Sequence, residues 1–181
     1  PFIEYHQSGY ESIIDKTYGT NYVNEKGETA YLNIMYVSPQ FFQMFEIDIE
    51  EGAIPEKSGR NIYVLNRAAM KAMNFSSLEE AAVVEDNRKR KDANAPMEPI
   101  VAVVKDYYNG HLSSGAAPIL YNVSGSGGPR HQIAFPEGKK QDLLNYLKKT
   151  MKEAYGAEEF TYSFLEDDVQ ALYKEDQKIA S

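Results

Sequence analysis

The side chains best suited to metal binding in this sequence are three histidines, His6, His111 and His131. None lies three or four residues from another, which is the spacing that places two ligands on one face of a helix. The sequence contains no cysteine, so thiolate ligands, disulfides and a cysteine nucleophile are excluded. The spacing therefore predicts no metal site and no cofactor.

Acidic residues occur as adjacent pairs, namely Glu50-Glu51, Glu79-Glu80 and Asp167-Asp168. General acid–base catalysis usually needs two carboxylates from separate elements that face each other across a cleft. Adjacent side chains diverge on a regular strand or helix, so these pairs are interpreted as solvated surface charge. An enzymatic alternative stays open, in which folding brings His111 within hydrogen-bond reach of an acid such as Asp106.

Two segments have compositions that could bind anions. The loop Ser124–Pro129 is rich in glycine and serine, but it lacks the lysine and the spacing of a phosphate-binding loop. A basic run could meet lipid headgroups or an acidic partner, although acidic neighbours dilute its charge. The candidate partner-contact residues are Arg88, Lys89, Arg90, Lys91 and His111, and no catalytic residue is predicted.

Composition limits the class of protein. The 181 residues include 19 Lys+Arg and 27 Asp+Glu, which gives a formal net charge of −8. This acidic balance argues against nucleic acid as a partner, because affinity for nucleic acid comes mainly from basic residues that neutralise phosphates. No run approaches the roughly 18 apolar residues of a membrane helix. The chain has no initiator methionine and stops within a helix-like segment, so it is interpreted as an excised soluble domain.

The elements that would position these residues begin with a strand pair between Glu11 and Val37. Its β-branched and aromatic residues flank a polar turn, Asn24–Glu28. The next predicted elements are a helix Pro39–Phe45 capped by Ser38, a strand Ile47–Gly52, a buried strand Asn61–Leu65, a helix Arg67–Met73 capped by Asn66, a helical turn Ser77–Ala82 and an exposed loop Glu85–Pro99.

In the second half, Ile100–Val104 is a short β-branched run that predicts a central strand. The remaining predicted elements are strands Pro118–Val123 and Gln132–Phe135 paired with each other, a helix Lys139–Tyr155 ending at Gly156, a strand Phe160–Phe164 and a helix from Glu166 onward. This order predicts an α+β domain, with a mixed β-sheet and helices packed on one face. Two subdomains remain an option, with an inserted one at about residues 60–135.

Four blocks of the sequence carry a resemblance to a known family. They are Tyr36–Ile47 followed by Gly52, Tyr63–Lys71, Ile100–Tyr108 followed by Leu112 and Pro118–Leu120, and Phe160–Asp168 with Tyr173–Asp176. In this order they resemble the periplasmic core domain of MacB-type ABC transporter permeases, the family that includes the FtsX-like permeases. Two departures are Arg67, where the family usually has an acidic residue, and the missing glycine in Ala81–Val84.

The resemblance implies that residues 1–181 are a single extracytoplasmic domain from between two membrane helices, at the periplasmic face of the inner (cytoplasmic) membrane. It implies a non-catalytic role in transmitting conformational change and contacting a partner or cargo, in export, lipoprotein handling or envelope signalling. The implied partners are the chain's own membrane helices, a nucleotide-binding domain or subunit, a second copy in a homodimeric permease and an envelope protein. Both chain ends are then expected to lie close together.

A free-standing extracytoplasmic domain that binds a peptide or a glycan is the alternative. Fourteen tyrosines offer aromatic faces on which such ligands could stack. That function would require a deep, aromatic-lined pocket with converging polar groups.

Overall fold

A computed structural model describes residues 3–9, 13–14, 18–56, 60–107, 115–124, 128–157 and 159–179, with the backbone alone for residues 172, 173 and 175–179. The strands are β1 Tyr5–Gly9, β2 Gly19–Val23, β3 Thr29–Val37, β4 Ile49–Gly52, β5 Ile62–Asn66, β6 Ala82–Glu85, β7 Glu98–Val104, β8 Ile119–Val123 and β9 Arg130–Ala134. The helices are α1 Gln40–Met44, α2 Arg67–Ala72, α3 Asp86–Lys91, α4 Lys140–Tyr155 and α5 Leu165–Ile179. The chain forms two compact units, residues 5–134 and residues 1–4 with 135–181.

The unit of residues 5–134 is built on a mixed seven-stranded sheet in the order β4-β7-β5-β8-β3-β2-β6. The pairs β3–β8 and β5–β7 are parallel, and the other neighbours are antiparallel. β6 also pairs with the beginning of β7. The predicted α+β class with a mixed sheet is therefore confirmed.

Successive residues of β8 point to opposite faces of the sheet, and each face has its own hydrophobic cluster. Leu120 packs in one cluster with Ala69 and Met70 of α2. Tyr121 packs in the other with Phe41 and Phe42 of α1, and the Phe42 and Tyr121 rings meet edge-on at 5.1 Å. Helices thus cover both faces of this sheet, where one covered face was expected, because β8 is apolar on both sides and each side needs burial.

A β-bulge in β7 adjusts which side chains face each cluster. The register with β5 shifts from Tyr63↔Ile100 to Val64↔Ala102, so one extra residue, Val101, is inserted. As a result Val101 and Ala102 both pack in the cluster under α1, while Ile100 packs under α2. The bulge thus shifts the alternation of β7 by one residue, so that Val103 packs with Ile100 in the cluster under α2.

A second, two-stranded sheet joins β1 and β9 in antiparallel register from Tyr5↔Ala134 to Gly9↔Arg130. The sequence predicted that the segment of β9 would pair with β8, and this is wrong. Both edges of β8 are already hydrogen-bonded, one to β3 and one to β5, so no edge remains for a third partner. β1 itself had no sequence prediction.

The region between α2 and β7 also differs from expectation. Residues 77–80 form a bend and a turn, and the strand β6 begins at Ala82, where a helical turn was predicted. Buried Val83 and Val84 are β-branched and favour a strand, which explains the outcome. The predicted loop Glu85–Pro99 contains α3 and the start of β7.

Helix starts were predicted with mixed success. Asn66 caps α2 as predicted, since its side-chain oxygen accepts a hydrogen bond from the Ala69 N–H at 3.0 Å. Ser38 does not cap α1, which begins one residue after Pro39, and the Ser38 hydroxyl is buried without a hydrogen-bond partner among the described residues.

In the unit that includes residues 135–181, α4 ends at Gly156 as predicted, with a left-handed φ of 67° that glycine adopts at little cost. The strand predicted at Phe160–Phe164 is wrong, because these residues form neither a strand nor a helix in the structure. Their aromatic rings instead contact one another, with Tyr162 and Phe164 5.6 Å apart, and Phe135 lies 6.2 Å from Phe164. Among the described residues, no helix has the length and apolarity to cross a membrane.

Candidate functional site

The basic helix α3 carries four of the five candidate contact residues. It follows β6 directly, and the chain after it returns to β7 through buried Ala95. Ala95 packs with Val23 and Val84, and Met97 lies against this small cluster. Apolar contacts on both sides therefore fix the helix to the sheet, although the segment was expected to be a loop.

Ion pairs within the chain engage two of the four charges on α3. Arg88 lies 3.3 Å from Glu98, and Arg90 lies 2.7 Å from Asp86, one helical turn earlier. The hydrogen bond to Asp86 raises the pKa of Arg90. Among the described residues, no ion pair involves Lys89 or Lys91. His111, the fifth candidate, lies outside the described residues.

Asp106, the acid considered as a partner for His111, has a structural role. Its side-chain oxygen accepts a hydrogen bond from the Ala68 N–H at 3.0 Å, close to the start of α2. Asn66, which is fully buried, caps the same helix and also accepts from the Ile119 N–H at 2.8 Å. Its amide nitrogen donates to the Ala117 carbonyl at 2.8 Å. Two polar residues from the family-like blocks thus join α2, β5 and β8.

The prediction that adjacent carboxylates diverge is wrong for Glu50 and Glu51. Both bind the guanidinium of Arg67, Glu50 through Nε and Glu51 through Nη2 at 2.6 Å. They converge because a register shift between Ile49 and Glu51 interrupts the alternation of side chains in β4. These hydrogen bonds raise the pKa of Arg67. Arg67, a departure from the family pattern, therefore anchors α2 to β4.

The other acidic pairs also have local partners. Glu80 accepts hydrogen bonds from the backbone N–H groups of Ser76 and Ser77, and the first of these is the main cause of its lowered pKa. Asp168 accepts a hydrogen bond from the Ser163 hydroxyl at 2.7 Å, beside the start of α5. These acids stabilise turns and helix ends, so they offer no facing pair for acid–base chemistry.

Two histidines that are far apart in sequence meet in the structure. Nε2 of His6 in β1 lies 2.9 Å from Nδ1 of His131 in β9, and the rings stack at 5.2 Å with an interplanar angle of 11°. Partial burial, with a smaller contribution from His131, lowers the pKa of His6. This pair could not be predicted from the sequence, because the strand β1 was not predicted. No cluster of three or more potential metal ligands occurs in the described part of the chain.

The arrangement of strands and helices is the fold of the periplasmic and extracellular domains of ABC-type transporter permeases. One such structure is the periplasmic region of MacB from Actinobacillus actinomycetemcomitans. It aligns with a TM-score of 0.63 and 15% identity, over 95% of this chain and 77% of that chain. The resemblance predicted from the four sequence blocks is therefore confirmed at the level of the fold.

Two further structures share the fold. One is a domain of a protein described as a permease from Porphyromonas gingivalis, with a TM-score of 0.60 and 12% identity over 84% of this chain and 70% of that chain. The other is the extracellular domain of the noncanonic ABC-type transporter YknZ from Gram-positive bacteria, with a TM-score of 0.57 and 7% identity over 86% and 78%. No family model matches the sequence, and no curated protein is significantly similar to it.

Proposed function

We propose that this chain is the extracytoplasmic domain of an ABC transporter permease, located at the periplasmic face of the inner membrane. In this proposal residues 1–181 act as one domain that lies between two membrane helices. It transmits conformational change and contacts a partner or cargo in export, lipoprotein handling or envelope signalling. The observation that carries the proposal is the extent of the shared fold, which covers 95% of this chain in the comparison with the MacB periplasmic region.

A non-catalytic role is supported by the hydrogen bonds and ion pairs that the polar residues make within the fold. Asp106 and Asn66 hold the start of α2, and Arg67 holds Glu50 and Glu51. Groups engaged in this way hold together the elements of the unit of residues 5–134, which suits a unit that transmits motion without changing its own shape. ATP hydrolysis would then belong to a separate nucleotide-binding domain or subunit, and the permease would be a homodimer.

The basic helix α3 is the surface we propose for partner contact. Arg88 and Arg90 are paired with acidic neighbours, whereas Lys89 and Lys91 have no ion pair in the described structure. The two lysines therefore present positive charge from a chain whose net charge is −8. An acidic patch on an envelope partner or cargo would complement them.

The location is tested first, on the complete reading frame that encodes this chain. Fractionation and protease protection of the expressed protein should place it in the membrane, with this segment digested only from the extracytoplasmic side. Apolar spans of about 20 residues should flank the segment. A full-length protein that is soluble would overturn the proposal and favour a free-standing peptide- or glycan-binding domain.

The contact surface is tested by charge reversal in the full-length protein. Lys89→Glu with Lys91→Glu should abolish complementation of a deletion strain while expression and membrane residence stay unchanged. Lys148→Glu with Lys149→Glu, which reverses two exposed lysines on α4 and changes the net charge equally, is the matched control and should complement normally. Normal complementation by the double variant would exclude α3 as the contact surface.

A further inference from the structure

We infer that His6 and His131 form a surface site for a divalent late first-row transition-metal ion, with Cu²⁺ or Ni²⁺ as the ions that fit its geometry. The site lies on the two-stranded sheet β1–β9, outside the basic helix α3. The inference does not depend on the proposed function, because it concerns only the side chains of this sheet.

The register of the two strands places both rings on one face. His6 is directly opposite Ile133, and His131 is directly opposite Ser8. His6 and His131 are therefore diagonal neighbours, a separation that long or aromatic side chains can bridge. The distance of 2.9 Å between His6 Nε2 and His131 Nδ1 shows that they do.

That distance also suits two ligands of one ion. An ion bonded to both nitrogens at about 2.05 Å would hold nitrogens 2.9 Å apart at an angle of about 90°. Adjacent positions in the square-planar or tetragonal coordination of Cu²⁺ and Ni²⁺ meet at this angle, and the tetrahedral coordination of Zn²⁺ needs a wider one. In the structure these two nitrogens are hydrogen-bonded to each other, so the ion would replace that hydrogen bond. Rotation about the ring torsions, which are broad for histidine, would turn each lone pair by about 45° toward the ion.

The other face of the same sheet holds the strands in place. Gln7, only 1% exposed, donates a hydrogen bond from its amide to Gln132, and its oxygen accepts from the Ser38 N–H at 3.4 Å. Gly9 allows the backbone of β1 to lie close to Tyr36 in β3, because a Cβ at this position would lie 2.6 Å from the Tyr36 carbonyl oxygen. The site is therefore built on fixed strands, which lowers the cost of bringing the rings together.

Both rings are exposed, so the coordination positions that they leave open can be filled by water or by a ligand from another molecule. A two-histidine site with open positions would bind an ion reversibly, as expected for capture from solution.

Titration of the chain with Cu²⁺ tests the inference, with affinity and stoichiometry from calorimetry and nitrogen coordination from electron paramagnetic resonance. We expect one ion per chain, with coupling to two imidazole nitrogens. His6→Ala and His131→Ala should each weaken binding by at least about tenfold, the loss typical even for outer-shell partners of a metal. His111→Ala is the matched control and should bind as the unchanged chain does.

Relocation of one ligand tests the strand register itself. His131→Ala combined with Ile133→His places a histidine directly opposite His6, and it should recover binding to within about tenfold of the unchanged chain, since directly opposed pairs lie closer than diagonal ones. Metal-free circular dichroism and thermal unfolding would establish that each variant is folded. The inference would be overturned if His111→Ala weakened Cu²⁺ binding as much as His131→Ala does, or if His131→Ala left Cu²⁺ binding unchanged. A folded relocation variant that does not bind Cu²⁺ would overturn it as well.

Discussion

The two compact units are stabilised in different ways. Residues 5–134 bury side chains on both faces of a seven-stranded sheet, and residues such as Phe41, Leu65 and Leu120 are fully inaccessible to solvent. Among the described side chains of residues 135–181, only Leu143 is buried. The sheet unit therefore depends on contacts between distant segments, whereas the elements of the other unit depend more on helix ends and contacts between neighbouring rings.

The largest expected effect follows from this difference in burial. Phe41→Ala should lower the free energy of unfolding by about 3–5 kcal/mol, because it leaves a cavity between α1 and Tyr121. Tyr155→Ala, at a side chain that is 79% exposed, should change it by less than about 0.5 kcal/mol. Urea unfolding monitored by circular dichroism measures both. Similar losses for the two variants would contradict the contrast between the units.

The buried amide of Asn66 should give the second effect. Asn66→Ala removes a helix cap and leaves the Ile119 N–H and the Ala117 carbonyl without their side-chain partner, at a cost of about 3 kcal/mol. Asn66→Asp keeps the hydrogen-bond acceptor but loses the donor, so it should lower the free energy of unfolding less than Asn66→Ala does at neutral pH. Urea unfolding of the three proteins gives the ranking. A more severe effect from aspartate would show that burial of charge outweighs the retained cap.

A helix end should matter in the other unit. Gly156→Ala forces a Cβ into a left-handed conformation at the end of α4, although no other atom lies within 4 Å of it. The cost is backbone strain alone, about 1 kcal/mol, and it should appear as fraying of the last turn of α4. Hydrogen exchange of residues 151–155 provides the measurement. Gly156→Asn should fray less, because asparagine tolerates this conformation better than alanine.

The smallest expected effect depends on pH. The lowered pKa of Glu80 means that its carboxylate stabilises the fold above the pKa of the unfolded chain, and that this contribution disappears as the pH falls through the folded-state pKa. Glu80→Gln should therefore flatten the acid side of the dependence of melting temperature on pH. Thermal unfolding of the variant and of the unchanged chain should be measured at several pH values between 6 and 3. If the melting temperature falls equally steeply with pH in both proteins, Glu80 does not make this contribution.

Local patterns predicted local structure well. The apolar spacing of α4 and the glycine after it are signals carried within one segment, and the strand pair around Asn24–Glu28 is closed by its own turn. The four family-like blocks predicted the fold for a related reason, because they contain the strands, caps and turns of the central sheet. Asn66 and Asp106 within them hold that sheet together.

What the sequence did not predict depends on pairing over long distances or on irregular backbone. Tyr5–Gly9 has little apolar alternation, and its partner β9 begins 121 residues after it ends, at Arg130, so neither the strand nor the histidine pair could be read locally. Glu50 and Glu51 met at Arg67 only because a bulge interrupted β4. The candidate charges on α3 were identified by composition, but their ion pairs depend on Glu98 and on a helix that was not predicted.

The position of β8 also determines the order in which the sheet can be completed. β3 and β5 each pair with β8 and not with each other, so the strand that joins them is available only after Ile119–Val123 has been synthesised. More than fifty residues separate the end of β5 from the start of β8. While they are being synthesised, β3 and β5 each have one edge without its partner strand. Such edges are templates for pairing with other chains, so a pause in synthesis at this stage favours aggregation.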